Sequence, residues 1–222
     1  MDLFKAINER HSVRTYTEKK IEGKVKEDLY SFIEQCNQES GLHLQLILDK
    51  PETFSSFMAH YSHFSGVKNY IALVGKKSYD LEEKCGYFGE KIVLYAQTLG
   101  LNTCWVALTY SKSKTKFKID KNEKLCLVIA LGYGENQGIP HKSKSRENVM
   151  TVKENPPEWF IKGIDAALLA PTAINQQKFT FSLINNHTVL AKAGLGFYSK
   201  IDLSIAKYHF EIGAGKENFQ WK

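Results

Sequence analysis

The chain has 222 residues, of which 43% are apolar and 24% charged, and it carries a net charge of +6. That is the composition of an ordinary soluble globular protein, long enough for a sizeable core in one domain or two closely joined halves. The positive balance permits an anionic ligand. No basic run is interleaved with aromatics and no zinc-finger spacing occurs, so a nucleic-acid-binding role is not expected.

The four cysteines, Cys36, Cys85, Cys104 and Cys126, are widely spaced with no C-x-x-C, which suggests neither a metal site nor a disulfide framework. Reduced thiols in a cytoplasmic protein are the expectation. No apolar leader is seen at the start, and the longest apolar runs, such as Leu125–Leu131, are too short to span a bilayer.

In chain order, Leu3, Phe4, Ala6 and Ile7 predict one or two helical turns. The segment Arg10-His11-Ser12-Val13-Arg14 then turns β-like. An extended chain from Arg10 would place residues 10, 12 and 14 on one face. Leu29, Phe32, Ile33 and Cys36 predict a helix over 25–39, with Gly41 as its stop. A strand is predicted over 42–48, a loop over 49–66 and a short apolar strand over 69–75. The strongest helix covers 81–99, followed by Gly100 and an extended stretch over 102–108. A connector with six lysines, 112–124, reads as a solvated face, and 125–132 as a buried strand. The irregular segment 132–157 is too long to be an idle connection. A helix is predicted over 158–169, broken by Pro171. A strand over 178–184 and a last helix over 202–212 follow. The helix–strand succession 25–48 is weakly echoed by 158–184. One domain over 1–222 is therefore expected, with a pseudo-repeat of two similar α-β units, 1–150 and 151–222.

Four segments can carry chemistry. Arg10, Ser12 and Arg14 place two guanidinium forks and a hydroxyl where a phosphate or other dense acceptor would be held; a solvated strand edge is the plainer alternative. The loop Ala170-Pro171-Thr172-Ala173-Ile174-Asn175-Gln176-Gln177 offers amide donors and acceptors suited to a heterocycle with alternating N–H and C=O groups, or simply to its own turn. The stretch Gly86–Ala107 runs from an apolar helix through Gly100 into a strand that can press backbone amides against a flat ring. Lys142-Ser143-Lys144-Ser145-Arg146 groups three cations, either to complete an anion site or as a solvated run. No acid–base pair, nucleophile or metal spacing stands out among the seven histidines. His60 and His63 lie in the loop best placed to form a lid.

Jointly, the basic-Ser-basic start, Gly100-Leu101-Asn102-Thr103-Cys104-Trp105, the Gly132-Tyr133-Gly134 to Lys144-Ser145-Arg146 stretch and the Pro171–Gln177 loop resemble the nitroreductase family of FMN flavoproteins. The loop comes late in the chain, as in a subgroup of nitroreductase-like proteins, and Gln177 is followed by Lys178-Phe179 where the family usually has Pro-Trp. The resemblance implies an α+β fold with a central mixed or antiparallel sheet flanked by helices. It implies Arg10, Ser12, Arg14, Lys144 and Arg146 at the FMN phosphate and ribityl chain, and the backbone of Trp105, Val106 and Ala107 near the flavin ring. It further implies that Pro171, Thr172, Ala173, Asn175 and Gln177 reach the flavin of a partner subunit in a homodimer. The activity implied is ping-pong electron transfer from NADH or NADPH through FMN to a nitroaromatic, quinone or similar small acceptor. No Gly-x-Gly-x-x-Gly is present, so the nicotinamide donor would share the acceptor's pocket. A flavoenzyme acting on one specific metabolite, a non-catalytic flavin-binding protein and a basic anion-binding module remain the alternatives.

Overall fold

The computed structural model describes residues 2–55, 63–152 and 155–222. His60 lies outside the described residues, while His63 is exposed. Helix α1 (Leu3–Glu9) starts at Asp2, whose side chain accepts the Lys5 N–H at 3.1 Å. Helix α2 (Gly23–Ser40) ends where Gly41 turns left-handed at φ 70°. There follow β1 (Gln45–Ile47), β2 (Asn69–Lys76), α3 (Leu81–Thr98), β3 (Asn102–Val106) and β4 (Glu123–Gly132). The remainder comprises β5 (Met150–Thr151), α4 (Glu158–Ala167), β6 (Phe179–Asn185), β7 (Thr188–Ala193), α5 (Ser199–Ala214) and β8 (Gln220–Trp221).

The class is α+β, and the strands divide between two four-stranded sheets. The first, in the order β1-β2-β4-β3, is antiparallel throughout. It is buried on both faces, which explains its continuous apolar strands. Ile71, Leu73, Ile129 and Leu131 face the large helical core, while Tyr70, Ala72, Val128 and Ala130 face a smaller core closed by Val13, Tyr16, Phe54 and Phe64. The second sheet, β5-β6-β7-β8, is built on the β6–β7 hairpin, with β5 and β8 added in parallel at its edges. Strands β5, β7 and β8 are absent from the sequence expectation. Two-residue strands show no period, and Val189 is the only fully buried residue of β7.

Helix α5 joins the halves. It packs on both α3 and α4, and its Phe210 stacks on Phe181 of β6 with ring centroids 4.8 Å apart. Phe160, Phe219 and Trp221 surround the same ring. Gly163 of α4 is required there, because a Cβ would stand 2.6 Å from Phe210. One continuous apolar cluster thus runs from Leu29 of α2 to Ala214 of α5. Phe210→Ala would open a cavity where α4, α5 and the second sheet meet. A loss of about 3–5 kcal/mol is expected in urea or thermal unfolding.

Candidate functional site

The segment after α1 lies along the open edge of β3. Ser12 bridges Thr103 in parallel, and the Val13 N–H donates to Thr103 O at 3.1 Å. Further along, the Tyr16 N–H donates to Ser65 O and the Thr17 N–H to Tyr133 O. This arm covers an edge that would otherwise be free to pair, and it sets Ser12 and Arg14 at the rim of a cavity of about 140 Å³.

The cavity has three walls. Cys104 to Ala107 form the first, where β3 ends and the chain leaves the sheet. Pro171, Thr172, Ala173 and Ile174 form the second. Ile201, Asp202 and Ile205 of α5, with Tyr198 just before it, form the third. An outer lobe of about 300 Å³ shares Arg14 and Trp105–Ala107 and adds Phe64, Leu108, Gln176 and Phe197. Its rim is apolar and open: Ile174 is 93% exposed and Phe197 83%.

The loop over 171–177 is fastened by its own polar groups. Asp202 accepts the Ala173 N–H at 3.0 and 3.1 Å and the Gln176 Nε2 amide at 2.7 Å. The Gln177 N–H donates to Thr172 Oγ1, and Gln177 Nε2 donates to Lys142 O and Asn175 Oδ1. These bonds hold Ile174, Asn175 and Gln177 at φ of 46°, 55° and 43°, and Tyr198 nearby is at 58°. For a β-branched isoleucine that conformation is strained, at a cost of order 1–3 kcal/mol.

Behind the wall lies a buried polar cluster. Glu90 of α3 is fully buried, and its carboxylate accepts the Trp105 indole N–H at 2.8 Å. His209 Nε2 of α5 lies 2.8 Å from the other Glu90 oxygen, and its Nδ1 lies 3.2 Å from Ala166 O. Gly89 leaves room for the indole, since a Cβ there would come within 2.5 Å of it. Gly86 lets α3 approach α5 to 2.5 Å from the Ile201 carbonyl, measured on the same basis.

Among the expected site residues, Ser12, Arg14, Trp105, Val106, Ala107, Pro171, Thr172 and Ala173 converge on this cavity. Five others stand elsewhere. Arg10 does not share the face of Ser12 and Arg14, because it still caps α1 through its N–H to Ala6 O, and strand alternation begins only after it. Its side chain is buried beside a small hollow lined by Ile7, His11, Pro140 and His141. Burial pulls its pKa below the usual guanidinium value, against the opposing pull of Glu90. Burial, followed by the Arg10 charge, also lowers His11; His141 is lowered chiefly by burial. Asn175 Nδ2 donates to Lys142 O, and Gln177 is buried. The Lys144 N–H donates to Gln177 Oε1 and its Nζ to Gln177 O. Arg146 makes a two-pronged pair with Asp165 on the outside of α4, at 2.6 and 2.7 Å. Asn175, Gln177, Lys144 and Arg146 are thereby committed to anchoring, and none lines either lobe. Within the chain the 171–173 wall stands beside Ser12 and Arg14.

Sequence reading missed Glu90, His209, Tyr198, Asp202 and Ile205. A glutamate inside the apolar 86–96 stretch was the one available signal. A further grouping, His43, Asp120 and Glu123, lies apart from the cavity with its ligand atoms within 4.8 Å of one another. Glu123 Oε2 there already serves His43 Nδ1 and the Asp120 N–H.

A family model described as "Putative TM nitroreductase" matches residues 2–214. The chain belongs to this nitroreductase family. Among solved structures, one titled as a putative nitroreductase from Thermotoga maritima is 24% identical, covering 98% of this chain and 85% of that one with a TM-score of 0.67. A putative NADH dehydrogenase/NAD(P)H nitroreductase from Parabacteroides distasonis is 17% identical over 67% of this chain and 96% of that one, with a TM-score of 0.51. A nitroreductase family protein from Streptococcus pneumoniae is 15% identical over 65% and 96%, with a TM-score of 0.51. These likenesses establish the fold. No curated protein sequence matches the chain. No helix among the described residues is long and apolar enough to cross a membrane.

Two outcomes follow. Glu90→Ala strands the Trp105 and His209 donors in the core, and should cost about 3 kcal/mol in denaturant unfolding followed by tryptophan fluorescence. Burial pushes Asp202 up to about 6 from an ordinary 3.8, against the bonds from Gln176 and Ala173. The native chain therefore holds a proton near pH 5 that the unfolded chain releases. The contribution of Asp202 is greatest below about pH 4 and is lost as pH rises through 6. The stability of wild type relative to Asp202→Asn should fall by about 2 kcal/mol between pH 4 and 7; a flat difference would contradict the assignment.

Proposed function

We propose that this protein is an FMN-dependent oxidoreductase that passes electrons from NADH or NADPH to a small acceptor. One observation carries the reading. The Ser12–Arg14 arm, the end of β3 and the Pro171–Ala173 loop meet around one cavity lined by both polar and apolar side chains. Membership of the nitroreductase family supports it.

The donor set fits an anionic flavin. Among the described residues, Arg10 Nε and Nη1 and Thr103 Oγ1 are buried without a hydrogen-bond partner. A buried guanidinium left so is costly, and an anion nearby would lower that cost. Thr103 and Ser12 pair across the bridge between arm and strand, and Ser12 lines the cavity beside Arg14. In this reading Ser12 and Arg14 hold the phosphate and ribityl end, and Arg10, which does not line the cavity, adds positive charge from behind the Cys104 wall. Trp105–Ala107 and Pro171–Ala173 enclose the ring. Lys144 and Arg146 hold the framework.

Bound FMN would supply the two-electron chemistry that the side chains lack. The chain supplies binding, orientation and a charged environment. Arg14 gives the cavity a fixed positive charge, which stabilises negative charge placed beside it. Ile201 and Ile205 exclude water from the inner wall, and the Glu90 clamp fixes the Trp105 ring. The open apolar rim at Leu108, Ile174 and Phe197 leaves room for a flat donor or acceptor to enter in turn.

The purified protein should show the visible absorption of oxidised flavin, or take up added FMN, and the bands should bleach on addition of NADH or NADPH. A colourless protein that takes up no FMN would overturn the proposal. Arg14→Ala and Arg10→Ala should each weaken FMN retention about tenfold or more while the fold persists by circular dichroism.

A further inference from the structure

A bulge on β4 brings two of the cysteines together. Leu73 pairs with Leu127 and Val74 with Leu125, which leaves Cys126 as an extra residue in the ladder. A bulge re-aims the side chain it carries. Leu125 packs on the smaller core with Val74, while Cys126 packs on the large helical core beside Leu127. Cys85 of α3 is fully buried in that same core, and its thiol hydrogen-bonds Cys126. Cys104 belongs to the smaller core, across the sheet. We propose that Cys85 and Cys126 form a reversible dithiol–disulfide pair, oxidised by a peroxide, that pins α3 to β4 beside the cavity. The pair stands apart from the flavin reading and does not depend on it.

The two thiols are unequal in the way the chemistry needs. Cys126 is half-buried and Cys85 is closed off. The hydrogen bond from Cys85 holds Cys126 below the ordinary thiol value, against the effects of burial and of Glu82. The same bond, followed by burial, pushes Cys85 up. Cys126 is therefore the attacking thiolate and Cys85 the resolving thiol. Cys126 Sγ attacks one peroxide oxygen and the O–O bond breaks. The hydroxide released takes up the proton that Cys126 gave and becomes water, and Cys126 is left as a sulfenic acid. Cys85 Sγ then attacks that sulfur, the S–O bond breaks, and a second water carries off the Cys85 proton. Two electrons pass from the thiols to the peroxide, and a thiol reductant returns them.

The position of the pair links it to the site. Leu127, next to Cys126, lines the cavity. Gly86, next to Cys85, lies against the carbonyl of Ile201, which lines the cavity from α5. A covalent bond here would fix α3 between those two walls.

Treating wild type with a small molar excess of hydrogen peroxide tests this. Free thiols should fall from four per chain to about two. The intact mass should drop by two hydrogen atoms, and a tryptic map should join the peptide that begins at Cys85 to the one that begins at Leu125. The bond closes a loop of about 40 residues, so the thermal midpoint should rise by roughly 5 °C or more. Dithiothreitol should reverse both changes. Cys85→Ala should leave Cys126 as a sulfenic acid that dimedone captures, with no cross-link. If that variant does not fold, Cys126→Ser serves instead, and its buried Cys85 should resist peroxide. Four free thiols after treatment, an over-oxidised Cys126 beside a free Cys85 in wild type, or a bond that lowers the midpoint would overturn the proposal.

Discussion

A carboxylate removed from water survives in a protein core only if donors replace the solvent. Glu90 is fully buried, and the groups that satisfy it come from two different elements: the indole of Trp105 on β3 and the imidazole of His209 on α5. Helix α3 therefore holds two walls of the cavity through a single side chain. Hydrophobic contact alone would let α3, β3 and α5 slide against one another by small amounts at little cost. The fixed geometry of two directional hydrogen bonds does not.

Asp202 plays the corresponding part at the other end of the same helix. It is nearly buried, and it accepts from a backbone N–H and a side-chain amide of the loop. Together the two acids divide the work of α5. Through His209 the helix is tied to the core, and through Asp202 it shapes the 171–177 loop. The loop's left-handed residues are stable only because these bonds over-determine them. The result is a rigid polar frame around an apolar opening, an arrangement common to sites that bind flat, partly charged ligands.

Most of the fold could be read from periodicity. The helices over 23–40, 81–98 and 158–167 and the buried strands β2 and β4 announce themselves through apolar spacing. The division into two sheets does not, because it depends on β5 and β8, two-residue strands defined by their neighbours' register. The site was readable as segments but not as an assembly. The basic-Ser-basic arm, the Cys104–Ala107 stretch and the Pro171 loop each stood out, and the structure brings parts of all three to one cavity. Which residues of each segment face it was hidden by local geometry. Arg10 belongs to a helix end, so alternation counted from it misplaces its side chain. Asn175 and Gln177 look like ligand-reading amides, yet their hydrogen bonds are consumed in shaping a strained loop. Lys144 and Arg146 look like free cations, yet one has found a carbonyl and the other a carboxylate. Such pairings depend on partners 19–33 residues away in the chain, which no local pattern encodes.

The two glycines on α3 have a further consequence. Gly86 and Gly89 lie about one turn apart, the first against the backbone of α5 and the second against the ring of Trp105. Their missing side chains make α3 a spacer whose thickness sets the separation of the cavity's opposing sides. A methyl group at either position would press on one side only, so the opening would skew rather than widen evenly. Adjusting the cavity to a differently shaped occupant is therefore easier at the outer rim, where Leu108, Ile174 and Phe197 face solvent, than along this helix.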